Sequence, residues 1–237
     1  MKKRANKKNG AVSLSEVAFQ QIKSQIVSLE LEPGEQVDET AMAEALDIGR
    51  TPIRESLFRL AAEGLLRFKA GRGFFVRDIT LRDIKDLFET LLVLERAAIA
   101  LAVRRIGPSG IGRLERLNDQ FKAAWDRHGY LEVTLANSRF HREIYAATGN
   151  EYMQSYLESL QIQSQRLAYI CFTRPAELDL RTHAEESIRD HLRLIECLRK
   201  KDETAAVDLT TAHIQRFQKR VAEFTTPVLL DQQIVVQ

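Results

Sequence analysis

Apolar residues recur at helical spacing along almost the whole chain, and one short stretch near residue 70 alternates as strands do. From Ser15 to Leu29 the residues Ala18, Ile22, Gln25, Ile26 and Leu29 share a helix face, with Ser13 and Ser15 available as caps, and Pro33-Gly34 then breaks the pattern. A second short helix is predicted from Glu39 to Leu46, turning Met42, Ala43 and Leu46 inward, and Asp47-Ile48-Gly49 forms a three-residue turn. The third helix runs on to Glu63 with Ile53, Leu57, Leu60 and Ala61 as its apolar stripe. Pro52 suits its first position, and Thr51 before it suits the cap. Gly64 ends that helix, Leu65–Lys69 reads as a strand, Ala70-Gly71-Arg72-Gly73 as a hairpin turn, and Phe74-Phe75-Val76 as the returning strand.

Beyond Leu81 strand signals stop. Segments 83–105, 109–128, 130–148, 151–172, 184–200 and 203–224 are helical in spacing, the first through Leu87, Leu91, Leu94, Ala98, Leu101 and Ala102. Gly107-Pro108, Gly129, Gly149-Asn150, Arg174-Pro175 and Lys201-Asp202 punctuate them. The predicted fold is mainly α: an N-terminal winged helix-turn-helix unit, then an antiparallel bundle of six or seven helices. The 237 residues are too many for the first unit alone and leave about 150 for a second with its own core. The expected division is a basic N-terminal arm over 1–12, the winged unit over 13–78, the helical domain over 79–226 and a tail over 227–237. The arm reads as disordered and solubilising, the alternative being a DNA contact. The apolar tail, with Val228-Leu229-Leu230 and Ile234-Val235-Val236, offers no basis for choosing between a groove cover, a subunit contact and disorder.

Charge changes this picture only locally. Residues 28–47 hold seven acids and no Lys or Arg, whereas residues 48–77 hold seven Lys or Arg against Glu55 and Glu63. The chain as a whole carries a net charge of only +2, which argues against a general polyelectrolyte binder and for docking on DNA through one patch. Arg50, Thr51 and Arg54 cluster at the start of the third helix, the end that helix-turn-helix proteins present to base edges and phosphates in the major groove, and Arg72 lies in the basic wing. No run of 18 apolar residues and no apolar signal core is present, so a cytoplasmic protein without a membrane partner is expected. Cys171 and Cys197 lack metal-like pairing and read as packing residues.

Candidate chemistry in the helical domain lies with histidine. Asn137 and His141, four residues apart, share a helix face. His191 and His213 lie about ten residues before and about twelve after the Lys201-Asp202 turn, which puts both roughly 15 to 18 Å from that hairpin end. Three imidazoles and an oxygen suit a divalent first-row metal with an open position for a ligand carboxylate; packed, hydrogen-bonded histidines are the other reading of the same spacing. Arg139, Gln163 and Arg166 lie on helices that could line an effector pocket, but the solvated reading is preferred for them, and Phe121, Trp125 and Tyr145 read as core.

Glu30–Val76, with Pro33-Gly34-Glu35, Ala43-Glu44-Ala45-Leu46, Arg50-Thr51-Pro52-Ile53-Arg54-Glu55-Ser56-Leu57, Leu60, Glu63-Gly64-Leu65 and Gly71-Arg72-Gly73-Phe74-Phe75-Val76, resembles the winged-helix domain of GntR-family transcriptional regulators. The resemblance implies that Arg50, Thr51 and Arg54 contact operator DNA and that Gly71 approaches the minor groove. Gly49 stands where the family usually has Ser or Thr, and Thr40 where a phosphate-contacting Arg often sits. Asn137-Ser138-Arg139-Phe140-His141, Asp190-His191 and His213, with Leu94-Glu95, the alanine-rich Ala97 to Ala102 and Gly149-Asn150, resemble the metal-binding FCD effector domain of the FadR subgroup. That likeness implies Asn137, His141, His191 and His213 as ligands for zinc or another first-row metal such as nickel or manganese. Asn137 replaces the usual aspartate, and Leu91 stands where an arginine is frequent.

Together these readings describe a ligand-responsive regulator, taken as a repressor although the sequence suits an activator equally, that binds a pseudo-palindromic double-stranded operator as a homodimer and senses a small organic acid, a carboxylate. Two rival classes are a metal-dependent enzyme using the histidines, which lacks a convincing general base, and a helical interaction module whose arginines bind an acidic partner.

Overall fold

A computed structural model describes residues 13–173 and 180–234, and the chain divides into two compact units between Arg77 and Asp78. The basic arm over 1–12 and the Arg174-Pro175 break lie outside the described residues. The first unit contains α1 (Leu14–Val27), β1 (Gln36–Val37), α2 (Glu39–Leu46), α3 (Arg50–Ala62), β2 (Leu66–Lys69) and β3 (Gly73–Val76). Ser13 caps α1 by accepting from the Glu16 amide at 3.1 Å, and Asp38 caps α2 by accepting from the Thr40 and Ala41 amides at 2.7 and 3.1 Å. Those bonds hold the Asp38 carboxyl below its ordinary range. Asp47, in the left-handed conformation, ends α2 and starts the turn.

Burial follows the apolar stripes. Ala18, Ile22 and Ile26 of α1 pack in one core with Ile53, Leu57 and Leu60 of α3, and Leu65 and Phe74 close it from the hairpin side. The Ser56 hydroxyl, fully buried, lies 2.7 Å from the Ser15 carbonyl and ties α3 to the start of α1. Arg59–Glu16 at 2.9 Å and Lys23–Glu63 at 3.1 Å link the same helices at the surface. The sheet is antiparallel in the order β1-β3-β2, with Gln36 opposite Phe75 and Phe68 opposite Phe74. Strand β1 went unread in the sequence because two residues are too few to show an alternation.

The second unit contains α4 (Leu81–Arg105), α5 (Pro108–Asp126), α6 (Tyr130–Ala147), α7 (Glu151–Thr173), α8 (Leu180–Lys200) and α9 (Glu203–Ile234). A reciprocal cap between Thr80 and Asp83 starts α4. Helix α4 packs along α9, and α5 along α6 and α8. Ile99, Val103, Leu114, Phe140, Ile144, Leu157 and Leu198, drawn from five helices, meet in the core. Tyr145 and Phe121 are buried as expected, and Trp125 packs beside the Phe121 cluster. Helix α9 continues through Pro227 to Ile234, past the boundary at residue 227 where a tail is expected. No helix among the described residues is long and apolar enough to cross a membrane.

Candidate nucleic-acid interface and histidine-lined cavity

Helix α3 begins earlier than its proline suggests. Gly49 is the cap residue and makes no side-chain cap bond, Arg50 and Thr51 are the first two helical residues, and Pro52 the third. Thr51 is therefore inside the first turn and does not cap it. The reason lies in Gly49: its carbonyl already accepts from the Ile53 amide at 3.3 Å, and Pro52 at the third position still sacrifices no intrahelical bond. The Arg50 and Thr51 amides thus precede the first helical hydrogen bond, and no acid stands in the first turn to offset the helix dipole. Arg50, Thr51 and Arg54 are all exposed there. That end of α3 is an electropositive surface with backbone donors, which suits an anion such as phosphate.

The hairpin is fixed against the same helix. Phe58 of α3 lies 5.4 Å from Phe68 and 4.9 Å from Phe74, ring centre to ring centre, and the Arg54 guanidinium stands 6.0 Å from the Phe58 ring. Phe58 and Phe68 remain 45% and 48% exposed, so this aromatic link runs along the surface beside Arg54. Gly71 and Arg72 are exposed at the hairpin tip. Gly71 has φ 74°, the left-handed region that favours glycine. Gln36 of β1 donates to the Arg72 carbonyl at 2.8 Å and steadies the tip, a contact that no sequence pattern announced.

In the bundle, the rings of His141, His191 and His213 form a near-equilateral triangle with 5.7 Å between each pair of centres. One nitrogen from each lies within 4.8 Å of the others. His191 is held most firmly. Its ring stacks on Phe140 at 3.9 Å and meets Phe121 edge-on at 5.5 Å. Its Nδ1 lies 3.1 Å from Asn118 Oδ1, so Nδ1 carries the proton and donates. Nε2 then presents a lone pair, buried and without a hydrogen-bond partner. Asp190 Oδ2 accepts from His213 Nδ1 at 3.0 Å and from Arg216. Burial pushes the His191 imidazole well below its ordinary pKa, with His213 and His141 adding to the effect. Burial also lowers His213, against the opposing hydrogen bond to Asp190. Neutral imidazoles with fixed tautomers are what a metal ligand requires, and a buried nitrogen left without a partner is costly unless something completes it.

Asn137 is half-buried and lines a cavity of about 60 Å³ together with His141 and His213. A smaller cavity of about 10 Å³ shares His141 and His213 and adds His191 and Asp190. The four sequence-selected residues are therefore brought together around the two spaces.

Three buried polar groups were not assigned a place in the site from the sequence. Glu95 of α4 is buried, with Oε2 3.7 Å from His141 Nδ1 and Oε1 accepting from Tyr145. Burial raises its carboxyl, but His141 and the Tyr145 hydroxyl outweigh burial and leave it lowered. Burial, followed by the charge of Glu95, raises the Tyr145 hydroxyl well above its usual value and keeps it a donor. Arg166, expected to be solvated, is fully buried: it follows Gln161, Ser164 and Gln165 on a helix that is enclosed over most of its circumference, so polarity gave the wrong face. Gln163 is half-buried and Arg139 is exposed. Arg220 of α9, 8% exposed, also lines the larger cavity.

Comparison with known proteins matches residues 14–76 to the family described as bacterial regulatory proteins, gntR family, and residues 86–216 to the FCD domain. The chain is 32% identical to the Nta operon transcriptional regulator of Aminobacter aminovorans, over 83% of this chain and 89% of that protein. It is 22% identical to the HTH-type transcriptional repressor RspR of Escherichia coli, over 91% of this chain and 92% of that protein. Among solved structures, E. coli McbR/YncC superposes with a TM-score of 0.75 at 22% identity, covering 94% of this chain and 100% of that one.

Proposed function

The chain belongs to the gntR family of bacterial regulatory proteins and carries an FCD domain, which makes it a DNA-binding transcriptional regulator and not an enzyme. From that premise we propose that it is a cytoplasmic repressor that binds a pseudo-palindromic operator as a homodimer and responds to a small carboxylate held in the histidine-lined cavity. The observation that carries the DNA half is the uncapped, acid-free first turn of α3, with Arg50, Thr51 and Arg54 exposed on it. Arg54 reaches base edges, the Arg50 and Thr51 amides meet a phosphate, and Gly71 and Arg72 bring the wing to the neighbouring backbone. Two such helices in a dimer enter successive major grooves, and effector binding shifts the population of arrangements that match their spacing.

In the bundle, His141, His191 and His213 would hold a divalent ion, with Asn137 as a weaker neutral oxygen ligand; zinc, nickel and manganese suit this donor set. The partnerless His191 Nε2 supports the fit. When bound, the ion supplies an electrophilic centre for a ligand carboxylate. The protein's own part is to fix the ring tautomers through Asn118 and Asp190 and to exclude bulk water through Phe121 and Phe140.

The test is fluorescence anisotropy with an operator selected from random DNA, comparing wild type and Arg54→Ala across a salt series. A loss of about 1 to 3 kcal/mol is expected, and unchanged affinity would remove Arg54 from the interface. Elemental analysis of wild type and His191→Ala tests the metal: equal content in both would overturn the assignment.

A further inference from the structure

Arg220 is the cavity's unused charge. It is 8% exposed and shares the cavity wall with Leu91, Phe121, Phe172 and Phe217. Among the described residues no hydrogen bond or ion pair satisfies its guanidinium. Asp190 on α8 is already taken by Arg216 and His213, Glu223 on α9 lies against Lys219, and Glu186 and Asp190 act on Arg220 only through their fields. Burial accordingly depresses the Arg220 pKa. A guanidinium set in a mostly apolar cavity wall, with five donors and no protein acceptor, favours an anionic ligand, and its planar fork matches a carboxylate.

We propose that the effector is a dicarboxylate: one carboxylate meets the histidine centre and the other docks on Arg220. This deepens the cavity reading above and rests on it. Residues 213 and 220 share a face of α9 two turns apart, about 10.5 Å along the axis, with Phe217 between them on the cavity wall. Allowing each carboxylate its contact distance, a chain of about four to six carbons spans that separation, its methylenes against Phe217 and Leu91.

The experiment measures binding of succinate, glutarate and adipate, and of butyrate and glutaramate as single-charge controls, to the zinc-loaded full-length protein by calorimetry and thermal shift. At least one dicarboxylate should bind wild type roughly 10- to 100-fold more tightly than its single-charge control. Arg220→Gln should erase that advantage while leaving the control's affinity unchanged, and Arg220→Lys should restore part of it. Equal binding of mono- and dicarboxylates to wild type overturns the proposal without reference to any variant. Full dicarboxylate affinity in Arg220→Gln overturns the role of Arg220 but leaves the cavity as the effector site. If no acid in the panel binds wild type, the carboxylate reading of the cavity fails, and the proposal with it.

Discussion

Asn118→Leu should weaken metal binding without touching a ligand. Asn118 is 2% exposed, and its amide oxygen accepts from His191 Nδ1 at 3.1 Å. Leucine keeps the volume and removes the acceptor. The imidazole cannot swing to find another, because Phe140 stacks on one face at 3.9 Å and Phe121 closes in edge-on. Two responses remain. Either the buried Nδ1–H stays without an acceptor, at about 1 to 3 kcal/mol, or the proton moves to Nε2 and occupies the lone pair that would bind the ion. The second occupies the lone pair and so acts on the metal-bound state directly, while the first costs both states but removes the acceptor that makes Nε2 more basic; loss of such a supporting partner typically weakens metal affinity about 10- to 100-fold. Asn118→Asp should do the opposite, since a carboxylate makes the same acceptor and a more basic imidazole. The assay is competition for zinc between the apo protein and a chromophoric chelator near neutral pH, with the urea midpoint of each apo variant as a check on folding. Wild-type zinc affinity in a folded Asn118→Leu protein would refute the claim that Asn118 selects the ligating nitrogen.

Arg72→Ala, at the hairpin tip, should weaken DNA binding evenly across sequences and reduce the salt slope by about one, as a phosphate contact does; a sequence-dependent loss in anisotropy titrations would reassign it to base readout. Gly71→Val should destabilise the wing by about 1 to 2 kcal/mol, through the strain of a φ of 74° alone, since a Cβ there meets no atom within 4 Å. An unchanged urea midpoint would show that the left-handed turn relaxes freely. Cys171 is buried, and its thiol is pushed up to about 12, chiefly by burial. Its thiolate is therefore scarce at pH 8, and iodoacetamide should spare it in the native protein; rapid labelling by mass spectrometry would contradict that burial.

The DNA-binding unit was largely legible because its signals are local. Helix α2 was readable to its end residues from Met42, Ala43 and Leu46 and the Asp47-Ile48-Gly49 turn, although its Asp38 cap went unread, and the stripe Ile53, Leu57, Leu60 gave the face of α3 directly. The start of α3 was misread because proline is commonest at the first helical position, whereas here it stands third and a glycine without a capping side chain precedes the helix. The wing's attachment was not legible. Phe58, Phe68 and Phe74 come from three elements, and which rings meet depends on a sheet order that includes a two-residue strand.

The histidines were legible for a reason that fails for the rest of the cavity. His191 and His213 lie at matched distances from one tight turn, so helical rise alone predicts that they meet, as their 5.7 Å separation bears out. Glu95 and Arg220 lie on α4 and α9, far apart in sequence, and only the packing of those helices brings them to the same cavity. Asn137 in place of an aspartate removes one negative charge from the site that the resemblance implies, and Leu91 in place of an arginine removes one positive charge. Glu95 beside His141 supplies an anion near the histidine centre, and Arg220 on α9 supplies a cation on the same cavity wall. On the dicarboxylate proposal, selectivity should follow the distance from the histidines to Arg220, which is why chain length, and not acidity, is the variable to scan.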